Sequence, residues 1–181
     1  HSLDVSSQTP TPTQLTDFKG PLSTPVISPD RKFVALTGFI DDGSSYQQSE
    51  IYLLNLKTKH LKCITRNFDR SVNSLKWGTS DLLHFQYDDH GVGHIASIHP
   101  TEENVNTICK NVGGISIGRP YQGGTFSVSD NGVIAYPESS VSSPPEIAIA
   151  QKGQSTTISS CAQEFLESHR IGEVKRFTYN S

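Results

Sequence analysis

Methionine is absent from this 181-residue sequence, tryptophan occurs once and cysteine three times. Cys63, Cys109 and Cys161 stand far apart with no C-x-x-C spacing, which excludes the common paired-cysteine metal and redox motifs. Their odd number argues against a full disulfide framework. Two of them end strand-like runs, so we expect buried thiols in a mildly reducing compartment, which slightly favours the cytoplasm.

Two further absences narrow the function. No run of about 18 apolar residues occurs, so we expect no membrane-spanning helix. The formal net charge of -3 leaves no basic excess with which to bind nucleic acid or an anionic membrane. No motif indicates a cofactor or a metal site. Because the sequence lacks methionine and opens within a repeat, we expect it to be a piece of a longer protein.

What the chain does contain is a repeat. Ile27, Trp77 and Ser127 occupy equivalent places, 50 residues apart, in three segments that each read as strand, polar turn and apolar strand. These segments are TPVISPDRKFVALTG (24–38), NSLKWGTSDLLHFQY (73–87) and GTFSVSDNGVIAYPE (124–138). A second marker has nearly the same period and consists of Leu15, Ile64, Ile108 and Ile158. Two markers with one period indicate a repeat architecture.

Each repeat holds four candidate strands, named a to d in chain order. They are 24–28, 32–39, 49–56 and 60–65; 72–77, 81–87, 93–99 and 104–109; and 124–129, 132–136, 146–150 and 155–159. Residues 12–17 read as the last strand of a preceding blade, and 161–169 as a short helix. Four short antiparallel strands per period are typical of a β-propeller blade. We therefore predict an all-β fold, a partial β-propeller of about three blades that does not close in this chain, over the alternative of a β-sandwich.

The segment ISPDRKFVAL resembles the W-S-P-D-G-x-x-[IL]-A-[FY] repeat of the prolyl oligopeptidase family of serine peptidases and of TolB-type propellers. The stretches SVNSLKWGTSDLLHF, FSVSDNGVIAYPESSVSSPPEIAIA and TTISSCAQEFLESHRIGEVKRFTYNS continue the likeness in order. In acylaminoacyl and dipeptidyl peptidase-like members, a Ser-rich, Pro-then-Glu hairpin precedes the segment that leaves the propeller, and 139–146 and 158–181 match that pattern. Ile27 and Ser127 depart from the family Trp, which leaves the subfamily open.

The resemblance implies a domain plan and partners. Residues 1–19 would be a tail with the last strand of a preceding blade, 20–70, 71–122 and 123–160 three blades, and 161–181 an exit toward an α/β-hydrolase domain. In this family that domain carries the Ser-Asp-His triad, so no catalytic residue is expected here. The hydrolase domain of the same parent chain and a peptide substrate are the expected partners, and a homo-oligomer is left open. The alternative function is a non-catalytic TolB-like scaffold for protein partners.

Ser116 lies in a G-x-S-x-G match, the pattern of a hydrolase nucleophile elbow. A true elbow stands between a strand and a helix, but Gly123 and Gly124 follow Ser116 closely and a strand comes next. We therefore interpret Ser116 as a loop serine.

Other polar clusters give still weaker evidence of a functional site. His90 and His94 have a zinc-like spacing, but the sequence between them is a turn. The pair Glu102 and Glu103, and the charged loop 66–70, read as solvated turn residues.

Residues 110–123 form the longest connection between blades. In an antiparallel blade the d–a and b–c loops lie at one end, so GISIGRPYQ, IDDGSSYQQ and ESSVSSPP should share a face. If a hydrolase faces this end, Arg119 could hold a substrate carboxylate or carbonyl and Tyr121 could pack against a side chain. A solvated Arg119 and a Tyr121 that covers the blade edge are the alternative.

Trp77 is predicted to be structural. It lies on an innermost strand beside apolar Leu75 and Leu82. Its replacement by alanine is expected to cost about 3 kcal/mol, as for a large buried aromatic side chain.

Overall fold

A computed structural model describes residues 1–78, 81–114 and 124–180. The chain forms two compact units, His1–Phe85 with Ser97–Val105, and Gln86–Ala96 with Asn106–Ser181. The described residues are strands and turns with one short helix, α1 (Gln163–Ser168). Within them, no helix has the length and hydrophobicity needed to span a bilayer.

Twelve strands lie in the described residues, and each overlaps one of the twelve strands predicted for the three repeats. They are β1 (Leu22–Ile27), β2 (Phe33–Gly38), β3 (Glu50–Asn55), β4 (Leu61–Cys63), β5 (Val72–Trp77), β6 (Leu83–Asp89), β7 (Val92–Ile98), β8 (Val105–Val112), β9 (Ser127–Val128), β10 (Ile134–Ser140), β11 (Ser143–Gln151) and β12 (Gln154–Thr157). The predicted helix 161–169 is also confirmed, as the shorter α1.

The strands are ordered as antiparallel meanders. Strands β1 to β4 form one four-stranded sheet in chain order, which is the first blade. Strands β5 to β8 follow in the same order as the second blade. The third blade, β9 to β12, does not form a separate sheet, because β8 pairs with β10 and joins the two blades into one eight-stranded sheet.

Two segments, β9 and the end of β8, share the inner edge of β10 in the third blade. β9 pairs with Ile134 and Ala135 at the start of β10, whereas the end of β8 pairs with Glu138 farther along. The Gly113 N–H donates to the Pro137 carbonyl at 2.7 Å and extends this pairing. The predicted strand 124–129 is therefore shortened to Ser127–Val128, because the end of β8 occupies the rest of the β10 edge.

The 50-residue period appears in the backbone as well. Thr24 and Ser74 both have positive φ (49° and 56°), and so do Arg31 and Asp81 (60° and 59°). Left-handed φ is uncommon outside glycine, so its recurrence at equivalent positions reflects one shared strand–turn–strand geometry.

A serine builds the a–b turn in the first and third blades. Ser28 Oγ donates to Asp30 and accepts the Phe33 N–H (2.9 Å). Ser129 Oγ likewise donates to Asn131 and accepts the Val133 N–H (3.0 Å). These contacts satisfy turn donors locally, which is why the serine and Asp/Asn signals predicted both turns correctly.

The expected strand at 12–17 is wrong. In the described residues this segment makes only one isolated bridge, between Thr13 and Ser2. Pro10 and Pro12 lack backbone N–H donors, and no strand in the part of the chain that the structure describes offers the segment a ladder of hydrogen bonds. Farther along, Phe18 packs edge-on against Tyr52 of β3 with ring centroids 4.7 Å apart.

Both units have apolar interiors. In the first, β3 is buried on both faces, and Phe85 is fully buried with Phe68 edge-on to it at 5.8 Å. In the second, a cluster joins β7, β8, β10 and β11, with Phe126 beside them; its members are Ile95, Cys109, Val112, Phe126, Ile134, Tyr136, Ala148 and Ala150. None of the three cysteines forms a disulfide; Cys109 is buried, Cys63 half-buried and Cys161 exposed.

Trp77 is structural, although it is only half-buried. Its indole Nε1–H donates to the Val26 carbonyl of β1 at 3.1 Å and so ties the inner strands of the first two blades together. This hydrogen bond contributes to stability in a way that the sequence did not predict. The partial exposure of the indole reduces the contribution of its apolar burial.

Replacing Trp77 with alanine should lower the free energy of unfolding by about 2 kcal/mol, below the range for a fully buried aromatic side chain. Trp77→Phe keeps the packing but loses the donor, and should cost about 1 kcal/mol. Urea denaturation followed by far-UV circular dichroism measures both, because the variants lack the only indole. Equal losses in the two variants would show that packing contributes nothing.

Candidate functional site

Three residues singled out in the sequence, Ser116, Arg119 and Tyr121, lie outside the described residues. The two ends of their connection are described. A Cβ placed on Gly124 would lie 2.6 Å from the Gly113 carbonyl oxygen, so the chain leaves and returns at almost the same point. The roles of Arg119 and Tyr121 in substrate binding stay predictions.

The two histidines of the candidate zinc pair occupy different environments. His90 is exposed at the tip of the β6–β7 hairpin, where its Nδ1 lies 2.9 Å from Asp89. His94 is buried in β7 and stacks on Tyr87 at 5.0 Å. Burial lowers the pKa of His94, so its ring is neutral at physiological pH. Among the described residues, no group of three His, Cys, Asp or Glu side chains could hold a metal ion.

One residue of the acidic pair in the β7–β8 turn, Glu103, makes side-chain contacts. Glu103 lies 3.5 Å from the Lys62 ammonium and accepts a hydrogen bond from Asn67 at 3.3 Å. Arg66 of the charged loop approaches Glu50 at 3.6 Å and stays largely exposed. Glu103 and Arg66 thus make surface contacts of the kind expected of turn residues.

A cavity of about 550 Å³ lies in the second unit, at the end of the blades where b–c hairpins and d–a connections meet. Its walls come from the β6–β7 hairpin, the end of β8 and the β10–β11 hairpin, and include Val92, Val112 and Val141. Serine hydroxyls, among them Ser140, and the Arg176 guanidinium add polar groups. An apolar cavity with a few polar groups is the usual form of a small-ligand or peptide site.

The segment after β12, residues 158–180, is called the exit segment here, and it reaches this cavity. Ile171 forms part of the lining. Arg176, also in the lining, donates from Nη2 to the His90 carbonyl at 3.1 Å, and thereby attaches the segment to the tip of the β6–β7 hairpin. Cavity and exit segment are thus parts of one site.

Glu146 fixes where the exit segment begins. Its carboxylate accepts hydrogen bonds from the Ser159 hydroxyl, the Cys161 N–H (3.0 Å) and the Ala162 N–H (2.6 Å). The last two amides precede α1 and would otherwise lack partners, so the carboxylate acts at the start of the helix. The Ile147 N–H, next to Glu146, donates to Ser159 Oγ at 2.8 Å.

The first blade repeats part of this arrangement. The Ile51 N–H donates to Thr65 Oγ1 at 2.8 Å, as the Ile147 N–H does to Ser159. Glu50, which precedes Ile51, accepts the Tyr52 hydroxyl at 2.7 Å and lies 3.6 Å from the Arg66 guanidinium after strand d, whereas Glu146 binds backbone amides there. The two blades therefore share this hydrogen bond between strand c and the residue after strand d. The chain then continues as an inter-blade loop in the first blade and as the exit segment in the third.

In the sequence, Glu146 was noted only as the last residue of a hairpin that resembles the peptidase family. Its contacts with Ser159, Cys161 and Ala162 were not predicted. One sequence feature could have predicted them: Glu146 begins the predicted strand c, and Ser159 and Ser160 lie at the end of the predicted strand d. Antiparallel pairing of strands c and d places the glutamate beside these serines.

Contact between Glu146 and the exit segment should depend on pH. The Ser159 hydroxyl, and then the Ala162 and Cys161 amides, lower the pKa of Glu146 below its ordinary value of 4.5. A carboxyl with a lowered pKa stabilises the fold above 4.5 and loses that contribution as the pH falls through its folded pKa. The amide NMR signals of Cys161 and Ala162 should therefore shift together with a midpoint below pH 4.5.

The matched variant is Glu146→Gln, which keeps the shape of the side chain but cannot ionise. Its two amide signals should show no such titration. A wild-type midpoint at or above 4.5 would contradict the contact.

No protein-family model matches the chain. The Tol-Pal system protein TolB of Francisella tularensis subsp. tularensis is 47% identical over 55 residues, which cover 30% of this chain and 12% of TolB.

Two solved structures resemble most of the chain. Pyrococcus horikoshii acylaminoacyl peptidase is similar over 86% of this chain and 22% of its own, with a TM-score of 0.62 and 16% identity. The β-propeller domain of the Trilobed protease from Pyrococcus furiosus is similar over 74% of this chain and 37% of its own, with a TM-score of 0.55 and 14% identity.

These likenesses show the fold. The chain is all-β and forms antiparallel four-stranded blades of a β-propeller that is not closed within it. It resembles propellers both of peptidases and of TolB. It spans well under half of each of these proteins, so the activity of the whole protein is a separate question.

Proposed function

We propose that this chain is the propeller part of a serine peptidase similar to acylaminoacyl peptidase. In this role it filters peptide substrates and helps to bind them, and an α/β-hydrolase domain of the same protein cleaves them. The observation that carries the proposal is the course of the exit segment. It leaves the third blade at Glu146 and runs beside the cavity at the loop end of the blades. The resemblance to acylaminoacyl peptidase over most of the chain supports the same role.

The cavity has the chemistry for a short peptide. Val92, Val112 and Val141 offer apolar surface to a side chain, and the nearby hydroxyls and guanidinium can bind backbone carbonyls. Arg119 and Tyr121 are proposed to add to this end of the site. Acyl transfer itself is assigned to the hydrolase domain, because the resemblance to this peptidase family places the Ser-Asp-His triad there.

A TolB-like scaffold that binds protein partners is the second candidate. The 47% identity with TolB over 55 residues favours it, since that identity is well above the 16% shared with the peptidase structure.

The first test compares the purified chain with the full-length protein encoded by its gene. We expect the full-length protein to hydrolyse chromogenic acylaminoacyl substrates and to react with an active-serine fluorophosphonate probe, and this chain to do neither. Labelling of this chain that Ser116→Ala abolishes would overturn the proposal. A full-length protein that neither labels nor cleaves would favour the scaffold.

A second test addresses the cavity. In the full-length protein, Val141→Trp should narrow the cavity and raise KM for long peptides several-fold more than for a single acylaminoacyl substrate, with probe labelling unchanged. The matched control is Lys57→Trp, in the exposed β3–β4 turn, at the end of its blade opposite the b–c connection. Equal effects of Val141→Trp on short and long substrates would argue against a filtering role.

A further inference from the structure

The turn between β9 and β10 contains the only asparagine of the sequence that precedes a glycine, Asn131 before Gly132. Both residues are exposed, and nothing lies within 4 Å of a Cβ placed on Gly132. Glycine has no side chain that would hinder its own backbone nitrogen. An asparagine in this position can lose its side-chain amide, because the nitrogen of the next residue can reach its Cγ.

The loss of the amide needs only water as a co-reactant. The Gly132 amide gives up its proton, and its nitrogen forms a bond to Asn131 Cγ. The bond between Cγ and Nδ2 then breaks, and Nδ2 takes up a proton and leaves as ammonia. Water opens the remaining succinimide ring, either at Cγ to give aspartate or at the main-chain carbonyl carbon to give isoaspartate. One water is consumed, one ammonia is released, and nothing is oxidised or reduced.

In the folded turn, Ser129 holds both reacting groups. The Gly132 N–H donates to the Ser129 carbonyl at 3.0 Å. Asn131 Oδ1 accepts the Ser129 hydroxyl at 2.6 Å, and the same hydroxyl oxygen accepts the Val133 N–H at 3.0 Å. Attack on Cγ therefore requires the turn to open locally, so the rate follows the population of the open turn.

The equivalent turn of the first blade already has an aspartate at this position. Asp30 accepts the Ser28 hydroxyl at 2.7 Å, as Asn131 accepts that of Ser129. In both turns the next residue donates its N–H to the serine carbonyl, at 2.9 Å and 3.0 Å. The Asp30 carboxylate also accepts the Lys32 N–H at 3.0 Å. A carboxylate is thus compatible with this turn.

From these contacts we propose that Asn131 is a modification site, at which the chain converts an amide to a carboxylate without an enzyme. The aspartate product keeps the turn, because its carboxylate accepts the Ser129 hydroxyl as Asp30 accepts that of Ser28. The isoaspartate product does not, because its main chain is longer by one carbon atom. β9 pairs with β10 over only two residue pairs beside this turn, so isoaspartate also weakens that pairing.

The modification does not depend on the choice between a peptidase and a scaffold. The turn is an a–b connection, and the cavity lies where the b–c hairpins and d–a connections meet. Conversion of Asn131 should therefore change the charge and stability of the third blade and leave the cavity as it is.

Peptide mass spectrometry of the 181-residue chain, incubated at mildly alkaline pH, tests the site. The peptide with residue 131 should gain the mass difference between an amide and an acid, faster at higher pH and faster in urea. Asn55 is the internal control, because its Oδ1 also accepts turn amides but a leucine follows it, and it should stay intact. A folded chain that keeps the amide over many of the half-lives measured in urea would overturn the proposal.

Two variants separate the contributions of the serine and the glycine. Ser129→Ala should speed up the reaction in the folded chain by about five-fold, the change in population that the loss of one hydrogen bond produces. Gly132→Ala should slow it many-fold in urea, where the turn is absent and only the methyl group beside the attacking nitrogen differs. A Ser129→Ala rate equal to that of the wild type would contradict the role of the hydroxyl.

The two products should differ in stability. Asn131→Asp reproduces the aspartate form and should melt at the same temperature as the fresh wild-type chain. The isoaspartate form, separated by chromatography and identified by enzymatic methylation of its carboxylate, should melt roughly 5 °C lower. If Asn131→Asp instead melts as low as the isoaspartate form, the equivalence with the turn of the first blade is wrong.

Discussion

Ile51→Ala should lower the free energy of unfolding of this chain by about 3 kcal/mol, whereas the equivalent Ile147→Ala should lower it by less than about 1 kcal/mol. The two isoleucines occupy matching positions in the c strands of the first and third blades, and the N–H of each donates to a hydroxyl just after strand d, on Thr65 and Ser159. They differ in burial, at 0% and 54% exposed.

The difference follows from the cavity that each truncation leaves. Around Ile51 both faces of β3 are covered, so the deleted atoms leave a void that neighbours fill only in part. Around Ile147 solvent takes the vacated space. Sequence alone gives the two substitutions the same expected cost, because local propensity and strand position are alike.

Urea denaturation followed by far-UV circular dichroism measures both variants, with the midpoint and the slope reported for each. Equal losses would contradict the difference in burial between Ile51 and Ile147.

Gly93→Ala should destabilise the second unit by about 3 kcal/mol. A Cβ at residue 93 would lie 2.5 Å from the Val112 carbonyl oxygen and 3.3 Å from the Val112 Cβ. The carbonyl belongs to the backbone of the neighbouring strand, so it cannot rotate away and β7 must move from β8. Both residues line the cavity, which would change shape as well.

Gly172→Ala is the matched control, because nothing lies within 4 Å of a Cβ at that position. It should leave the denaturation midpoint unchanged or raise it slightly, since alanine restricts the unfolded chain. A Gly93→Ala variant as stable as Gly172→Ala would contradict the close approach of β7 and β8.

The strands were predictable because their signals are local. Ser28 with Asp30, and Ser129 with Asn131, build turns from neighbours in sequence, and the apolar runs between turns have the strand period. The two errors of strand placement come from competition between distant segments. Residues 12–17 pair with no strand among the described residues, and β9 is short because the end of β8 pairs with β10 in its place.

The candidate site was predictable only as a location. Strand order placed the b–c and d–a connections at one end, and the cavity lies there. The contacts of Glu146 with Ser159 and Ala162, and of Arg176 with His90, join residues that are far apart in sequence. No local pattern encodes such pairings, and Arg119 and Tyr121 remain predictions.

The near-contact between Gly113 and Gly124 has an evolutionary consequence. When a connection starts and ends at one point of a sheet, the strands on either side do not depend on its length. Each doubling of loop length adds only about 0.6 kcal/mol of closure entropy. Recombination could therefore exchange residues 115–123 for unrelated sequences while the blade persists. Sequence diversity would then accumulate at this junction faster than in the blades that support it.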